Sequence, residues 1–97
     1  MYVAAMEVEL HIASSGSLKE KRAVVRHLVE TARRRFGVSA SEVAHHERWQ
    51  RAGIGFAFVA PSSSRVEEVL DQVERFVWSH PEVSVLSVQR RWLEDDA

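Results

Sequence analysis

Residues 2–12 read YVAAMEVELHI, and this stretch decides the fold because it fixes the first strand of a sheet. Apolar side chains occupy every second position, whereas Glu7, Glu9 and His11 fall on the alternate positions. A period of two with one apolar side is the pattern of a half-buried β-strand. The length of the stretch favours a place in the centre of the sheet.

The segment that follows predicts a helix over residues 18–36. Ser17 and Glu20 form a capping box, in which the hydroxyl accepts from a first-turn amide and the carboxylate reaches back to the cap amide. Gly37 stands where a left-handed C-terminal cap is common. Apolar residues at helical spacing form one stripe: Leu18, Val25, Leu28, Val29, Ala32 and Phe36.

A hairpin is predicted next, from a short strand at 38–44, a polar connection at 45–50 and a regular strand at 51–60. In the regular strand, Ile54, Phe56 and Phe58 share one side. Two strands joined by a short connection pair antiparallel.

The last third predicts one helix and one strand. Ser64 and Glu67 read as a second capping box, and the helix that they begin stops at His80-Pro81. Residues 83–92 are predicted to form the final strand, and its apolar residues leave open which side of the strand faces the core. The acidic tail 94–97 is expected to fray.

The element order β-α-β-β-α-β predicts one α+β domain over residues 1–97. Right-handed crossovers with a hairpin between them favour a ferredoxin-like sandwich, a four-stranded antiparallel sheet of order 4-1-3-2. Both helices then cover one face, and the core joins them to Met6, Val8, Leu10, Ile54, Phe56 and Phe58.

Composition narrows the class of protein. The 97 residues carry a net charge of −1 and no cysteine, so neither a disulfide framework nor a thiolate metal site is available. No apolar run reaches the ~20 residues of a membrane helix, and because strand-like residues directly follow Met1, we expect no secretory signal. We therefore expect a cytoplasmic protein with no membrane association.

The charge is unevenly distributed along the chain. Residues 18–51 hold nine Lys or Arg and four acids, so the net charge of this segment is +5 and that of the remaining residues is −6. Such asymmetry either marks an anionic partner or reflects complementarity between two elements of the fold. The nucleic-acid-binding candidates are basic residues of this segment: Lys19, Lys21, Arg22, Arg26 and Arg51.

The sheet face away from the helices is predicted to hold small and apolar residues that no element of the chain covers. It either packs against a second copy or simply faces solvent. An RNA-recognition sheet would carry aromatic residues for base stacking, which this face lacks. The interface candidates are Val3, Ala5, Gly53, Gly55 and Ala57 on this face, with Trp49 in the preceding connection.

Catalytic and metal sites find little support. His45 and His46 are adjacent, so on a strand they point to opposite faces and are poorly placed to share an ion. Glu7 and Glu9 share a face, but solvated or paired carboxylates are far commoner than a general acid/base pair. We expect no catalytic residue, no cofactor, no metal and no small-molecule ligand.

Three segments carry a resemblance to a known family. They are SLKEKR at 17–22, FGVSASEV at 36–43 and WQRAGIG at 49–55, and they resemble the YlxP-like family of small bacterial proteins of unknown function. The resemblance implies a ferredoxin-like fold, a bacterial cytoplasmic protein and, from the family's association with translation and ribosome-maturation genes, RNA or the ribosome as partner. The family often has Asn in place of Gly37 and Asp in place of Glu47.

Together these observations favour a non-catalytic binding module that contacts RNA or the ribosome through its basic first helix. The alternative is a homodimeric protein-interaction domain that uses the open face of the sheet.

Overall fold

A computed structural model describes residues 1–93 of the chain. Its elements follow the predicted order and are β1 (Tyr2–His11), α1 (Leu18–Phe36), β2 (Ser39–Ala44), β3 (Arg51–Ala60), α2 (Ser63–Trp78) and β4 (Ser84–Trp92). The acidic tail, residues 94–97, lies outside the described residues.

The four strands form one sheet of order β2-β3-β1-β4 in which all neighbours are antiparallel. This is the predicted order 4-1-3-2 read from the other edge. β1 pairs with β3 from Tyr2 opposite Ala60 to His11 opposite Arg51, and with β4 on its other side. The regular alternation of β1 therefore belongs to a central strand, as predicted, and the fold is a ferredoxin-like α+β sandwich.

Both helices pack on the same face of the sheet, which we call the covered face. Met6, Val8 and Ile54 are fully buried there, with Phe56 at 1% exposure. Phe36 of α1 meets Phe76 of α2 with ring centroids 5.7 Å apart. The helices contribute their apolar stripes to this core: Val25, Leu28, Val29 and Ala32 from α1, and Val66, Val69, Leu70, Val73 and Val77 from α2.

The ends of α1 follow the local signals, with one difference. The Glu20 amide donates to the Ser17 hydroxyl over 3.1 Å, and Gly37 adopts the left-handed conformation with φ of 70°. The Glu20 carboxylate, however, accepts from the amide of Gly16 over 2.7 Å instead of from the cap amide. The Glu20 side chain thus accepts a hydrogen bond from the residue before the cap and not from the cap residue itself.

The predicted start of α2 is wrong by two residues. Ser62, in an extended conformation, is the cap, and its hydroxyl accepts from the Arg65 amide over 3.3 Å. Ser64, the predicted cap, already lies inside the helix. Three consecutive serines offer the same capping chemistry, and only the backbone conformation decides which of them uses it.

Two irregularities in pairing set the facing of the edge strands. The register between β2 and β3 shifts around Val43, and that between β1 and β4 shifts around Leu86. As a result Val85 and Val88 pair with the core residues Leu10 and Val8, whereas Leu86 is 50% exposed. A bulge thus explains why the alternation of the final strand is ambiguous in the sequence.

Within residues 1–93, neither helix has the combination of length and apolar character that a membrane crossing requires.

Candidate functional site

Four basic residues follow one side of α1 and form what we call the basic face: Lys19, Arg22, Arg26 and Arg33. All four are exposed. At 3.6 residues per turn and 1.5 Å per residue they fall within a stripe about 60° wide and about 21 Å long. Among residues 1–93, none of the four forms an ion pair.

A groove runs between the basic face and the edge strand β2. It has a volume of about 320 Å³, and Arg22, Arg26 and Arg33 line it together with Ser41 and Glu42 of β2. The Arg33 guanidinium donates to the carbonyl of Ala40, which ties this end of the helix to the strand. The groove thus brings three arginines to a single concave surface.

Lys21 lies outside this surface, contrary to its assignment as a nucleic-acid contact. Its side chain is completely buried. The ammonium donates to the carbonyls of His45 and His46 over 2.8 and 3.2 Å. It also lies 2.8 Å from the Glu42 carboxylate. The ammonium therefore has two carbonyl acceptors and one carboxylate beside it inside the protein, and these contacts hold α1 against the connection between β2 and β3.

A sequence signal for the burial of Lys21 exists. The residue stands three positions after Leu18 and four before Val25, and so lies on the apolar stripe of α1. Residues three and four apart share one face of a helix. A lysine on such a stripe indicates a buried or snorkelling cation rather than a solvent-facing one.

Arg51 is also separated from the basic face. It begins β3 and projects from the open face, which is the sheet face opposite the helices, where its guanidinium pairs with Glu9 over 3.0 Å. The five nucleic-acid candidates therefore divide into three on the exposed side of α1, one in the interior and one across the sheet.

Glu9 is the centre of a small polar cluster on the open face. Its carboxylate contacts the His45 ring and the Arg51 guanidinium. The hydrogen bond from His45, followed by that from Arg51, lowers the pKa of Glu9 below its ordinary value. His45 has a φ of 63°, a conformation that non-glycine residues seldom adopt. Its side chain thus meets Glu9 while its carbonyl accepts from Lys21.

The predicted interface residues differ in accessibility. Val3, Ala5 and Ala57 lie on the open face and are partly or fully exposed. Gly53 is buried, and a Cβ there would lie 2.8 Å from the Ala44 Cβ. A Cβ at Gly55 would lie 3.1 Å from Val43 Cγ1. Space beside β2 is therefore too small for a side chain at Gly53 and tight at Gly55, irrespective of any partner.

Apolar residues that the sequence reading did not select complete the open face. Val43, Val59 and Leu93 are 47%, 55% and 66% exposed. Leu93 reaches this face because its amide donates to the Val3 carbonyl, which continues the pairing of β4 beyond Trp92. Trp49, in the connection between β2 and β3, is 57% exposed.

A depression of about 240 Å³ lies in the middle of the open face. Ala5 and Gly55 lie at its base and Val43 on one side, while Glu7, Gln89 and Arg91 supply its polar lining. The small residues of the two central strands create the depression, because the neighbouring side chains on both edge strands are larger.

The adjacent His45 and His46 do not point toward one site. The His45 ring faces Glu9, whereas Nε2 of His46 lies 3.2 Å from the Glu42 carbonyl oxygen. Over residues 1–93, no group of three or more His, Asp or Glu side chains is placed to hold a metal ion. Glu7 and Glu9, the two carboxylates on β1, differ in environment, since Glu9 is paired and Glu7 is exposed.

Comparisons with known proteins agree with the resemblance seen in the sequence. A family model described as a protein of unknown function, DUF503, matches residues 3–90. The uncharacterized protein YlxP of Bacillus subtilis (strain 168) is 37% identical over 86 residues, which cover 89% of this chain and 94% of the Bacillus protein. The chain therefore belongs to the YlxP-like family of proteins of unknown function, DUF503.

Proposed function

We propose that this protein is a non-catalytic binding module that contacts the phosphate backbone of RNA through the basic face of α1. The observation that carries the proposal is the stripe of Lys19, Arg22, Arg26 and Arg33, all exposed and without an ion pair among the described residues. Guanidinium groups match phosphate geometry through paired donors.

The position of the cations within the helix supports a role in binding. Lys19 and Arg22 lie in the first turns of α1. Positive charge at a helix N-terminus opposes the helix dipole and does not stabilise the helix. The helix dipole therefore does not account for these two charges, whereas an anionic partner does.

The chemistry of the surface indicates the mode of contact. Three arginines along one groove can bind successive phosphates. The open face has small and aliphatic residues such as Ala5, Ala57 and Val59, so stacking of bases on the sheet is not available there. Contact with phosphates alone gives binding that depends little on sequence and falls steeply with salt.

Fluorescence anisotropy with a labelled single-stranded RNA, titrated over a range of salt concentrations, tests the proposal. The triple variant K19E/R22E/R26E should fold normally by circular dichroism and lose the interaction. Each phosphate contact contributes about 0.7 to the slope of log affinity against log salt. Loss of three contacts should therefore lower the slope by about 2.

A charge-matched pair of variants separates the basic face from total charge. R22E/R26E changes α1, whereas R65E/R75E makes the same change on exposed positions of α2. We expect only R22E/R26E to weaken binding strongly. Absence of RNA affinity in the wild-type protein at low salt, or equal loss in both variants, would contradict the proposal.

A protein-interaction role for the open face is the second candidate function. It is favoured by the exposure of Val43, Val59 and Leu93 on one uncovered surface. Light scattering across a concentration series tests it, and a strictly monomeric wild-type protein at high concentration would argue against self-association by this face.

A further inference from the structure

We infer that the partner of the open face is a second copy of this chain, packed sheet to sheet about a two-fold axis so that Glu7 of each copy pairs with Arg91 of the other. This inference deepens the second candidate function and is independent of RNA binding, because the basic face lies on the opposite side of the molecule.

The first support is the apolar surface that remains uncovered. Val43, Val59 and Leu93 are about half exposed or more. Ala5 and Ala57 keep the centre of the face low, so a second sheet can approach to the ~10 Å at which stacked sheets pack. An uncovered face of this kind is typical of an interaction site.

The second support is the placement of two opposite charges. Glu7 is opposite Gln89 and Ala5 is opposite Arg91, so Glu7 and Arg91 are diagonal neighbours on β1 and β4. Diagonal neighbours have Cβ atoms about 7–8 Å apart. Both side chains are exposed and line the same depression, yet they do not pair with each other or with another residue in the range 1–93.

A two-fold interface uses such a pair twice. In an isologous contact, if one residue meets a second across the interface, the second meets the first. A face that carries one unpaired acid and one unpaired base is therefore complementary to itself. The other charges of the face, Glu9 and Arg51, already form an ion pair within one copy.

The charge balance of the open face favours a second copy over an anionic partner. Glu7 and Glu9 are matched by Arg51 and Arg91, so the four charges cancel. A neutral surface with an apolar centre does not attract RNA, which needs an excess of positive charge. A face of mixed charge instead fixes the register of two surfaces that meet.

Sedimentation equilibrium on the full chain tests the pairing through charge reversal. E7R and R91E each place like charges together twice per dimer and should weaken association about tenfold or more. The double variant E7R/R91E restores opposite charges and should regain the wild-type affinity to within about threefold. An equimolar mixture of E7R and R91E should form the heterodimer in preference to either homodimer.

A steric variant tests the face independently of these charges. Ala57→Glu adds bulk and charge to the centre of the open face and should leave a folded monomer, while Trp78→Gln on the exposed side of α2 should leave the dimer intact. Gly55 is less suitable for this purpose, because a Cβ there would lie 3.1 Å from Val43 Cγ1, so a loss of association could also come from movement of Val43.

Three outcomes would overturn the inference: a wild-type protein that is monomeric at millimolar concentration, a dimer that Ala57→Glu does not affect, or a dimer that E7R/R91E weakens as much as either single variant. RNA binding by the same preparations is measured separately. A dimer without RNA affinity contradicts only the proposed function, and RNA affinity in a monomer contradicts only the dimer.

Discussion

The two faces of the sheet are built from the same strands but differ in burial. On the covered face, Met6, Val8 and Ile54 are fully buried, and packing accounts for each of them. On the open face, Glu9 forms an ion cluster at one end of the sheet. Val59 and Leu93 lie exposed at the other end. The comparison teaches that burial accounts for the residues of the covered face, whereas the open face keeps exposed apolar side chains and the charges of Glu7 and Arg91 without partners among residues 1–93.

His45 connects the two faces at one end of the sheet. Its carbonyl accepts from the buried Lys21, whereas its ring contacts Glu9 on the open face. The left-handed backbone of His45 turns the chain so that both contacts form. Lys21 and Glu9 are therefore neighbours of one residue, although one is interior and the other lies at the surface.

The largest expected effect is the loss of stability caused by a substitution on the covered face. Phe56→Ala should lower the free energy of unfolding by about 3–5 kcal/mol, because it removes a buried aromatic ring and leaves a cavity. Val59→Ala, three residues along the same strand on the open face, should change it by less than about 0.5 kcal/mol in the monomer. Urea denaturation of both variants measures the difference, and equal losses would contradict the contrast between the faces.

The next effect distinguishes the interior cation from the surface cations of α1. Lys21→Met should lower the free energy of unfolding by about 3 kcal/mol, because it leaves the Glu42 carboxylate and two loop carbonyls without their buried partner. Lys19→Met, the matched change at an exposed position, should cost less than about 0.5 kcal/mol.

The same two variants should rank in the opposite order when the loss of RNA affinity is measured instead of the loss of stability. Lys19→Met should weaken binding measurably at low salt, while folded Lys21→Met should bind as the wild type does. If Lys21→Met unfolds no more readily than Lys19→Met, the buried network around His45 and His46 is not the contact that holds α1 in place.

The smallest expected effect is the pH-dependent contribution of Glu9, on the open face, to stability. The pKa of Glu9 is lowered in the folded state, mainly by the hydrogen bond from His45 and then by that from Arg51. The folded state therefore binds fewer protons than the unfolded state between the lowered pKa and the ordinary value of 4.5. The stability that Glu9 contributes is present above pH 4.5 and is lost as the pH falls through the folded pKa.

Urea denaturation of the wild type and of Glu9→Gln at pH 7 and pH 3 measures this contribution. We expect the wild type to be more stable than Glu9→Gln at pH 7, and we expect the gap to narrow at pH 3. A gap that is constant with pH would show that the ionised carboxylate contributes nothing through His45 and Arg51.

Local sequence signals predicted the ends of a helix correctly where the capping signal fitted a single residue. Ser17 and Gly37 bound α1 as expected, because Ser17 is the serine that has Glu20 three residues after it and Gly37 directly follows the last residue of the apolar stripe. At the start of α2 the three serines compete, and the prediction chose Ser64 over Ser62. The ambiguous facing of the final strand likewise depended on a bulge at Leu86 that the sequence does not mark.

The candidate sites were only partly predictable for a related reason. Lys19, Arg22 and Arg26 lie on the exposed side of α1, as helical periodicity indicates. Lys21 and Arg51 were assigned by their charge, yet Lys21 is buried and Arg51 lies across the sheet. Their positions depend on Glu42 and Glu9, which are 21 and 42 residues away in the chain.

By itself the sequence determined the alternation of β1 and β3, the length and caps of α1, the order of the elements and the family. These depend on interactions among residues a few positions apart, which the chain carries in any context. Only the tertiary structure decided which cations face solvent, why Gly53 and Gly55 lack side chains, and how Glu7 and Arg91 come to share one depression. Each of these depends on segments that meet only when the sheet closes, and no local pattern encodes such a meeting.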